Sequence, residues 1–197
     1  VLLWGPDPLD PTTSYTFEAM GRTAAIKDGR GNKRRFEYNA FGDVKKEIAP
    51  ASLGYTISRT FNPTNDLLTE TDGRGNTTTN AYATSASADY QVGQLKTVTD
   101  CENGVTTFKY WTTTSSPTPP ATNVGLLKSV QNPRLKTTTY DYDSSGNLTK
   151  VTSSLGHETT MTYDSSGRLT GRRDPRGNVP VTPTGYLTQW DYDEADH

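Results

Sequence analysis

The chain has 197 residues, with 20 Lys and Arg against 22 Asp and Glu, a net charge of −2, 31% hydrophobic residues and a mean hydropathy of −0.75. That length suits one ordinary domain and is enough to bury a core, yet the apolar content is thin for a compact globule. Basic residues are scattered apart from Lys33-Arg34-Arg35 and Arg172-Arg173, which argues against the clustered basic face of a nucleic-acid binder; the first cluster reads as a solvated strand start.

The gap left by the missing hydrophobics is filled by Thr, at 34 positions, and by 11 Tyr against 5 Phe. Thr favours a half-wet pleated surface, and Tyr joins an apolar ring to a polar tip. A sheet with one buried and one wet face is expected. The single cysteine, Cys101, excludes an internal disulfide, and His157 and His197 are too few for most metal or triad chemistry. No run approaches the ~18 apolar residues of a membrane-spanning helix.

In chain order, residues 1–14, with Pro6, Pro8 and Pro11, read as an irregular lead-in, and 15–197 as repeats. Val1-Leu2-Leu3-Trp4 is too short for a signal-peptide core. Gly21-Arg22-Thr23 marks a first turn, and Asp28-Gly29-Arg30-Gly31-Asn32 a second about ten residues on. Tyr38-Asn39-Ala40-Phe41-Gly42-Asp43-Val44 and Phe61-Asn62-Pro63-Thr64-Asn65-Asp66-Leu67 are further copies of the first turn, the latter with Asn for the turn glycine. Asp72-Gly73-Arg74-Gly75-Asn76 repeats the second turn letter for letter. Gly93 and Gly125 mark degenerate copies, extended by the Ser/Thr/Pro/Ala-rich inserts 83–91 and 112–123. Both inserts are expected to be exposed loops, the second offering a rival reading as a binding loop. Glu102-Asn103-Gly104 fills the second-turn slot, and Asn132-Pro133-Arg134-Leu135 fills it without a glycine.

The clearest repeat comes last. Residues 140–156 and 161–177 align without gaps at an offset of about 21, pairing Tyr142 with Tyr163, Gly146 with Gly167, Leu148 with Leu169 and Gly156 with Gly177. These eight are the expected structural repeat positions. Asx followed by a Gly-containing tetrad favours a tight hairpin turn, so the chain reads as successive β-hairpins with arms of about five to seven residues. Thr138, Tyr140 and Tyr142 alternate onto one face. Leu148 and Val151 are three apart, as are Leu95 and Val98, and Leu127 and Val130; a recurring bulge accounts for that spacing. A lone hairpin is not stable in water, so neighbours must share a sheet.

Tyr163-Asp164-Ser165-Ser166-Gly167-Arg168-Leu169-Thr170, followed by Asp174-Pro175-Arg176-Gly177-Asn178, closely resembles the YD-repeat consensus of the Rhs family of bacterial polymorphic-toxin shells. The C components of insecticidal toxin complexes and the teneurin shell are similar. The resemblance covers roughly residues 15–193. It implies an all-β fold of antiparallel hairpins in a continuous curved sheet, a segment of a shell. It implies a structural role in a secreted or surface bacterial protein that encloses or presents a C-terminal toxin, with no enzymatic activity, cofactor or metal. The implied partners are the remainder of its own longer chain, neighbouring shell segments, toxin cargo and a cell-surface glycan. Tyr192 to His197 overlays Tyr163 to Arg168, so the segment is expected to stop in mid-repeat.

Other chemistry weighs less than the repeat. Family members self-cleave at a motif resembling DPxGL; Asp174-Pro175-Arg176-Gly177 matches four positions, but Asn178 and Val179-Pro180-Val181 depart from it, so Asp174 reads as a repeat turn. Asp141, Asp143, Asp164, Asp191, Asp193 and Glu194 raise a glycosidase pair, yet Asp143, Asp164 and Asp193 share one repeat slot where a side chain bonds its own turn. Tyr38, Tyr82, Tyr110, Tyr142, Tyr163 and Tyr192 form a ladder, read as packing between hairpins. As an exposed strip, with Tyr142, Tyr163 and Trp190 foremost, it would bind carbohydrate. That surface-binding module is the rival function.

Overall fold

The computed structural model describes residues 12–177 and 186–192. Val1 to Pro11, Asn178 with Val179-Pro180-Val181, and Asp193 to His197 lie outside the described residues. So do most of the expected lead-in, Glu194 and the mid-repeat end. The protein is all-β and antiparallel, with no α-helix among the described residues, and falls into two compact units dividing at Asn80/Ala81.

The first unit holds β1 (Ser14–Phe17), β2 (Thr23–Lys27), β3 (Lys33–Tyr38), β4 (Val44–Ile48), β5 (Thr56–Phe61) and β6 (Leu67–Thr71), with β7 (Thr77–Tyr82) crossing the division. The second holds β8 (Leu95–Thr99), β9 (Val105–Tyr110), β10 (Leu127–Gln131), β11 (Thr137–Tyr142), β12 (Leu148–Thr152), β13 (Glu158–Tyr163), β14 (Leu169–Arg173) and β15 (Leu187–Gln189). Within each unit every strand pairs with the next in sequence. Odd strands are the first arms of hairpins and even strands the second arms, so the whole topology is local.

One turn geometry serves both edges. At Asp143-Ser144-Ser145-Gly146-Asn147 the Asp143 N–H donates to the Asn147 carbonyl at 2.9 Å, and the Gly146 N–H to the Asp143 carbonyl at 3.2 Å. At Ser153-Ser154-Leu155-Gly156-His157 the same two bonds recur at 2.9 Å each. The fourth residue must take a positive φ, 88° at Gly146 and 78° at Gly156, a region glycine enters freely. Where the glycine is missing, the conformation persists: Asn65 at 69°, Asn103 at 66° and Leu135 at 58°. In the Asp100–Gly104 turn it is thus Asn103, and not Gly104, that holds the left-handed position.

The expected bulge recurs in every first-arm/second-arm pairing described. Tyr142 pairs with Leu148 while Asp141 pairs with Lys150, so Thr149 is skipped; the same slip follows Phe17, Tyr38, Phe61, Tyr110 and Tyr163. The slip places Leu148 opposite Tyr142 and Val151 opposite Tyr140, and directly opposed residues share a face. A spacing of three therefore lands on one side of the sheet. That face in the second unit carries Phe108, Val130, Tyr140, Val151 and Met161, and the other carries Thr97, Thr107, Thr139, Thr152 and Thr160.

The expected fully buried face is not there. Among the described residues the buried apolar side chains are Ala25, Ala49 and Ala83, and no large side chain is fully buried. Each unit is a single layer, and most strand residues from β4 to β14 are half-buried by their neighbours. Cohesion comes from ladder hydrogen bonds and cross-strand pairs, each contributing roughly 0.2–1 kcal/mol.

The inserts also differ from simple exposed loops. Both enter between the first turn residue and its glycine, leaving the closing bonds intact: Ala83 N–H to the Gln94 carbonyl at 2.8 Å, and Trp111 N–H to the Leu126 carbonyl at 2.9 Å. Most of their residues face solvent, but Thr112, Ser115 and Asn123 are buried. Thr112 Oγ1 and Ser115 Oγ donate to the Ala88 carbonyl at 3.1 and 2.8 Å, and the Tyr110 N–H reaches the Asp89 carbonyl at 3.0 Å. Asp89 is paired with Lys109 at 2.9 Å and Lys128 at 3.5 Å. The two inserts are thus bonded to each other by buried hydroxyls.

A third insert was hidden by its letters. The Asp174 N–H donates to the Tyr186 carbonyl at 2.9 Å, and Pro175–Gly177 forms a 3-10 turn, so Asp174 closes on a residue twelve positions further along the chain.

Leu135 combines a left-handed φ with 75% exposure, so its side chain is strained and buries little. A left-handed L-residue costs about 1–2 kcal/mol, partly offset by the greater unfolded-state freedom of glycine. Leu135→Gly is expected to raise stability by about 0.5–1 kcal/mol, read by urea denaturation. Gly73→Ala should act oppositely, because its Cβ would stand 2.6 Å from Tyr55 Cδ2 and 3.0 Å from Tyr55 Cβ, forcing the ring root aside at a cost of about 1–3 kcal/mol.

Candidate functional site

The tyrosines that end the first arms share one contact. Tyr38 Oη donates to the Thr23 carbonyl at 2.8 Å, Tyr110 to Leu95 at 3.0 Å, Tyr142 to Leu127 at 2.9 Å, Tyr163 to Leu148 at 2.8 Å and Tyr192 to Leu169 at 2.7 Å. In each case the acceptor opens the second arm of the preceding hairpin. Those same residues sit at the bulge, where Leu127 pairs with Tyr110, Leu148 with Tyr142 and Leu169 with Tyr163. A line therefore runs Leu95–Tyr110–Leu127–Tyr142–Leu148–Tyr163–Leu169–Tyr192, alternating hydroxyl bonds with bulge pairings. Partial burial, and next the neighbouring Tyr90, Tyr140 and Asp143 respectively, push the Tyr110, Tyr142 and Tyr163 hydroxyls above the ordinary tyrosine pKa. They remain protonated donors.

Phe61 is an exception that follows the same requirement. It has no hydroxyl, and the Val44 carbonyl that a tyrosine there would reach receives Arg59 Nη1 at 3.4 Å, while Arg59 also pairs with Glu70 at 2.6 Å. Arg22 and Arg168, each just before the acceptor residue, lay their guanidinium over Tyr38 and Tyr192 at 4.6 and 4.8 Å.

The expected structural positions fall at these joints. Tyr142 and Tyr163 are clamps, Leu148 and Leu169 their bulge partners and acceptors, Gly146, Gly156 and Gly167 left-handed turn residues, and Gly177 the end of the 3-10 turn in the third insert. Of the carbohydrate candidates, Tyr142 and Tyr163 are half-buried with committed hydroxyls. Trp190 is more exposed and stands two residues before its clamp, the place of Tyr140 and Met161; it is not brought against Tyr142 by any described contact.

The repeat-slot aspartates bond their own turns. Asp143 Oδ1 accepts the N–H groups of Ser145 and Asn147 at 2.8 and 3.0 Å, and Asp164 Oδ1 those of Ser166 and Arg168 at 2.9 Å. Asp174 likewise accepts from Arg176. Asp141 is salt-bridged to Lys150 at 3.3 Å. No group of three His, Cys, Asp or Glu fit for a metal occurs among the described residues, nor a helix long and apolar enough to cross a membrane. The hollows are open troughs, such as one of about 390 Å³ over Gly171 lined by Thr160, Thr162, Arg173, Leu187 and Gln189. What sequence reasoning missed is the acceptor: the residue 15 positions before Tyr38, Tyr110, Tyr142 and Tyr163, and 23 before Tyr192, a spacing legible in the letters once the hairpin register is known.

Two-turn hairpins joined by a hydroxyl-to-carbonyl clamp, with no core, define a structural β-repeat protein. The model of the RHS Repeat family matches residues 124–157 and 142–179, so this stretch is similar to that family's repeats. No curated protein matches it. The solved TcdB2-TccC3 without its hypervariable C-terminal region aligns over 92% of this chain with a TM-score of 0.66 at 20% identity. The TcdB2-TccC3-Cdc42 structure aligns over the same share at 0.64 and 19%. The chain spans 10% of each of those chains, and the likeness is one of fold.

Tyr163→Phe removes the donor to a carbonyl at the bulge and should cost about 0.5–1.5 kcal/mol, measured by urea denaturation; a cost no larger than that of Tyr186→Phe would sink the clamp.

Hydrogen bonds from their turns hold Asp28, Asp66, Asp72, Asp143, Asp164 and Asp174 below the ordinary aspartate value of 3.8, Asp164 through Arg168 first and Asp143 through Asn147 first. With folded pKa values depressed, this stabilisation is complete above the unfolded value and is lost as pH falls through the lower folded values. Thermal midpoints should therefore drop below about pH 4. Asp143→Ser with Asp164→Ser, copying the uncharged Ser153 turn, should flatten that drop.

Proposed function

We propose that this chain is a wall segment of an Rhs-type shell, a structural scaffold in a secreted or surface-exposed bacterial protein that encloses or presents a C-terminal toxin. The observation carrying this reading is that the residues which name the repeat are consumed by the sheet itself. Tyrosine hydroxyls go to backbone carbonyls and aspartates to their own turns, leaving little reactive chemistry on the surface. A layer without a core gains nothing as a free globule but suits a wall whose strength is its hydrogen-bond ladder. The fold likeness to TcdB2-TccC3 supports the same reading.

Surface binding of carbohydrate is the second reading, favoured only by exposed Trp190 and the aromatic face. Titration with cell-wall oligosaccharides is expected to leave Tyr/Trp fluorescence unchanged. A saturable response lost in Trp190→Ala would move the function to recognition. The non-enzymatic reading predicts an intact mass that stays constant over days at neutral pH; a cleavage abolished by Asp174→Ala would overturn it. In the full-length polypeptide, the C-terminal domain should resist protease until the repeat sheet is unfolded by denaturant.

A further inference from the structure

One place in the first unit departs from the repeat in turn length and in charge at once. The β2–β3 and β6–β7 turns close between Asp28 and Asn32 and between Asp72 and Asn76. The β4–β5 turn is two residues longer: the Ala49 N–H donates to the Tyr55 carbonyl at 3.0 Å, and the Leu53 and Gly54 N–H groups to the Pro50 carbonyl at 2.9 and 3.0 Å. Beside it lies an open hollow of about 380 Å³, lined among others by Lys33, Arg35, Ser52, Tyr55 and Thr56. Its strands, β3, β4 and β5, are each paired on both sides.

The charge at this hollow is uncompensated. Lys27 pairs directly with Lys33, and Arg35, two residues on, shares the face of Lys33. Like charges directly opposite destabilise a sheet. The other directly opposed charges in the described registers, Glu37 with Lys46, Arg59 with Glu70 and Asp141 with Lys150, are opposite in sign. Nor does the repeat ask for a cation here: the slot of Arg35 holds Ser58, Thr79, Thr107, Thr139, Thr160 and Gln189 in other first arms. Among the described residues no ion pair joins Lys27, Lys33 or Arg35 to a carboxylate, and the nearby acids are committed. Glu37 pairs with Lys46, Glu47 with Arg34 on the opposite face, and Asp28 accepts from its own turn.

We infer that the hollow beside the β4–β5 turn binds a phosphate monoester, with Arg35 and Lys33 holding the phosphate and Lys27 adding to the field. Three positive charges without a counter-charge suit a dianion, and the planar guanidinium takes two phosphate oxygens at once. Ser52 and Thr56 bring hydroxyls to the same hollow. The site goes beyond the wall-segment reading and does not depend on it.

The test is calorimetric titration of the full chain with glycerol phosphate at low ionic strength, against glycerol and glycerate. Saturable binding of the phosphate ester is expected, with glycerate about tenfold weaker and glycerol silent. Arg35→Gln should weaken binding about tenfold, the value of a charge-assisted hydrogen bond, and Arg34→Gln should leave it unchanged. No saturation, equal binding of glycerate, or equal losses in the two arginine variants would each overturn the proposal, the last by reducing it to diffuse charge. Lys33→Thr, which restores the residue of β5 and β7, should raise the ligand-free thermal midpoint and shrink the rise that glycerol phosphate produces; a lowered ligand-free midpoint would make Lys33 structural and sink the site. Phosphatidylcholine vesicles with and without phosphatidic acid separate the sources. Co-sedimentation that needs phosphatidic acid and Arg35 assigns the ester to a lipid headgroup, and binding of glycerol phosphate alone assigns it to a soluble ligand, either outcome supporting the site.

Discussion

The rest of the structure hangs on the bond from a tyrosine hydroxyl to the carbonyl at the bulge of the preceding hairpin. A bulge leaves one residue unpaired and opens the ladder locally, and an unsatisfied carbonyl in a half-buried strand is costly. The clamp answers both at once: the side chain that packs on the sheet also closes the gap its neighbour creates. Each hairpin thereby corrects a defect in the one before it, which makes the repeats interdependent without any core.

That dependence explains the substitutions within the repeat. Where Phe61 removes the hydroxyl, Arg59 reaches the same carbonyl from two residues away. Where the turn glycine is lost, Asn65 and Asn103 accept the left-handed backbone, as Asn does more readily than most residues, and Leu135 is held there by the flanking strands. Local preference yields to register because a one-residue slip would send every side chain to the wrong face.

The two inserts show the same hierarchy. Each is admitted at the turn, between two residues whose bonds close the hairpin regardless of what lies between. Their buried Thr112 and Ser115 then tie one insert to the other through hydroxyl-to-carbonyl bonds, so chain added at the edge is anchored and the ladder is untouched. Charge is spent in the same modest way, as cross-strand pairs such as Arg34–Glu47 and Lys150–Asp141, each contributing at most about 1 kcal/mol at a surface.

How much was legible differs by element. The sequence alone determined the strand-turn alternation and the turn slots of Asp143 and Asp164, while the spacing of Leu148 and Val151 raised a bulge that the strand register then showed. These depend on contacts within about 21 residues, where spacing and turn chemistry are local facts. It placed an ordinary repeat turn at Asp174, whose N–H instead reaches the Tyr186 carbonyl, and it expected one buried and one wet face because apolar alternation looks the same whether or not a second layer covers it. Only the tertiary structure decided which carbonyl each tyrosine reaches, that the inserts bond to each other, and that each unit is a single layer. Those outcomes join different hairpins, and composition and spacing within one repeat carry no information about what the neighbouring repeat presents.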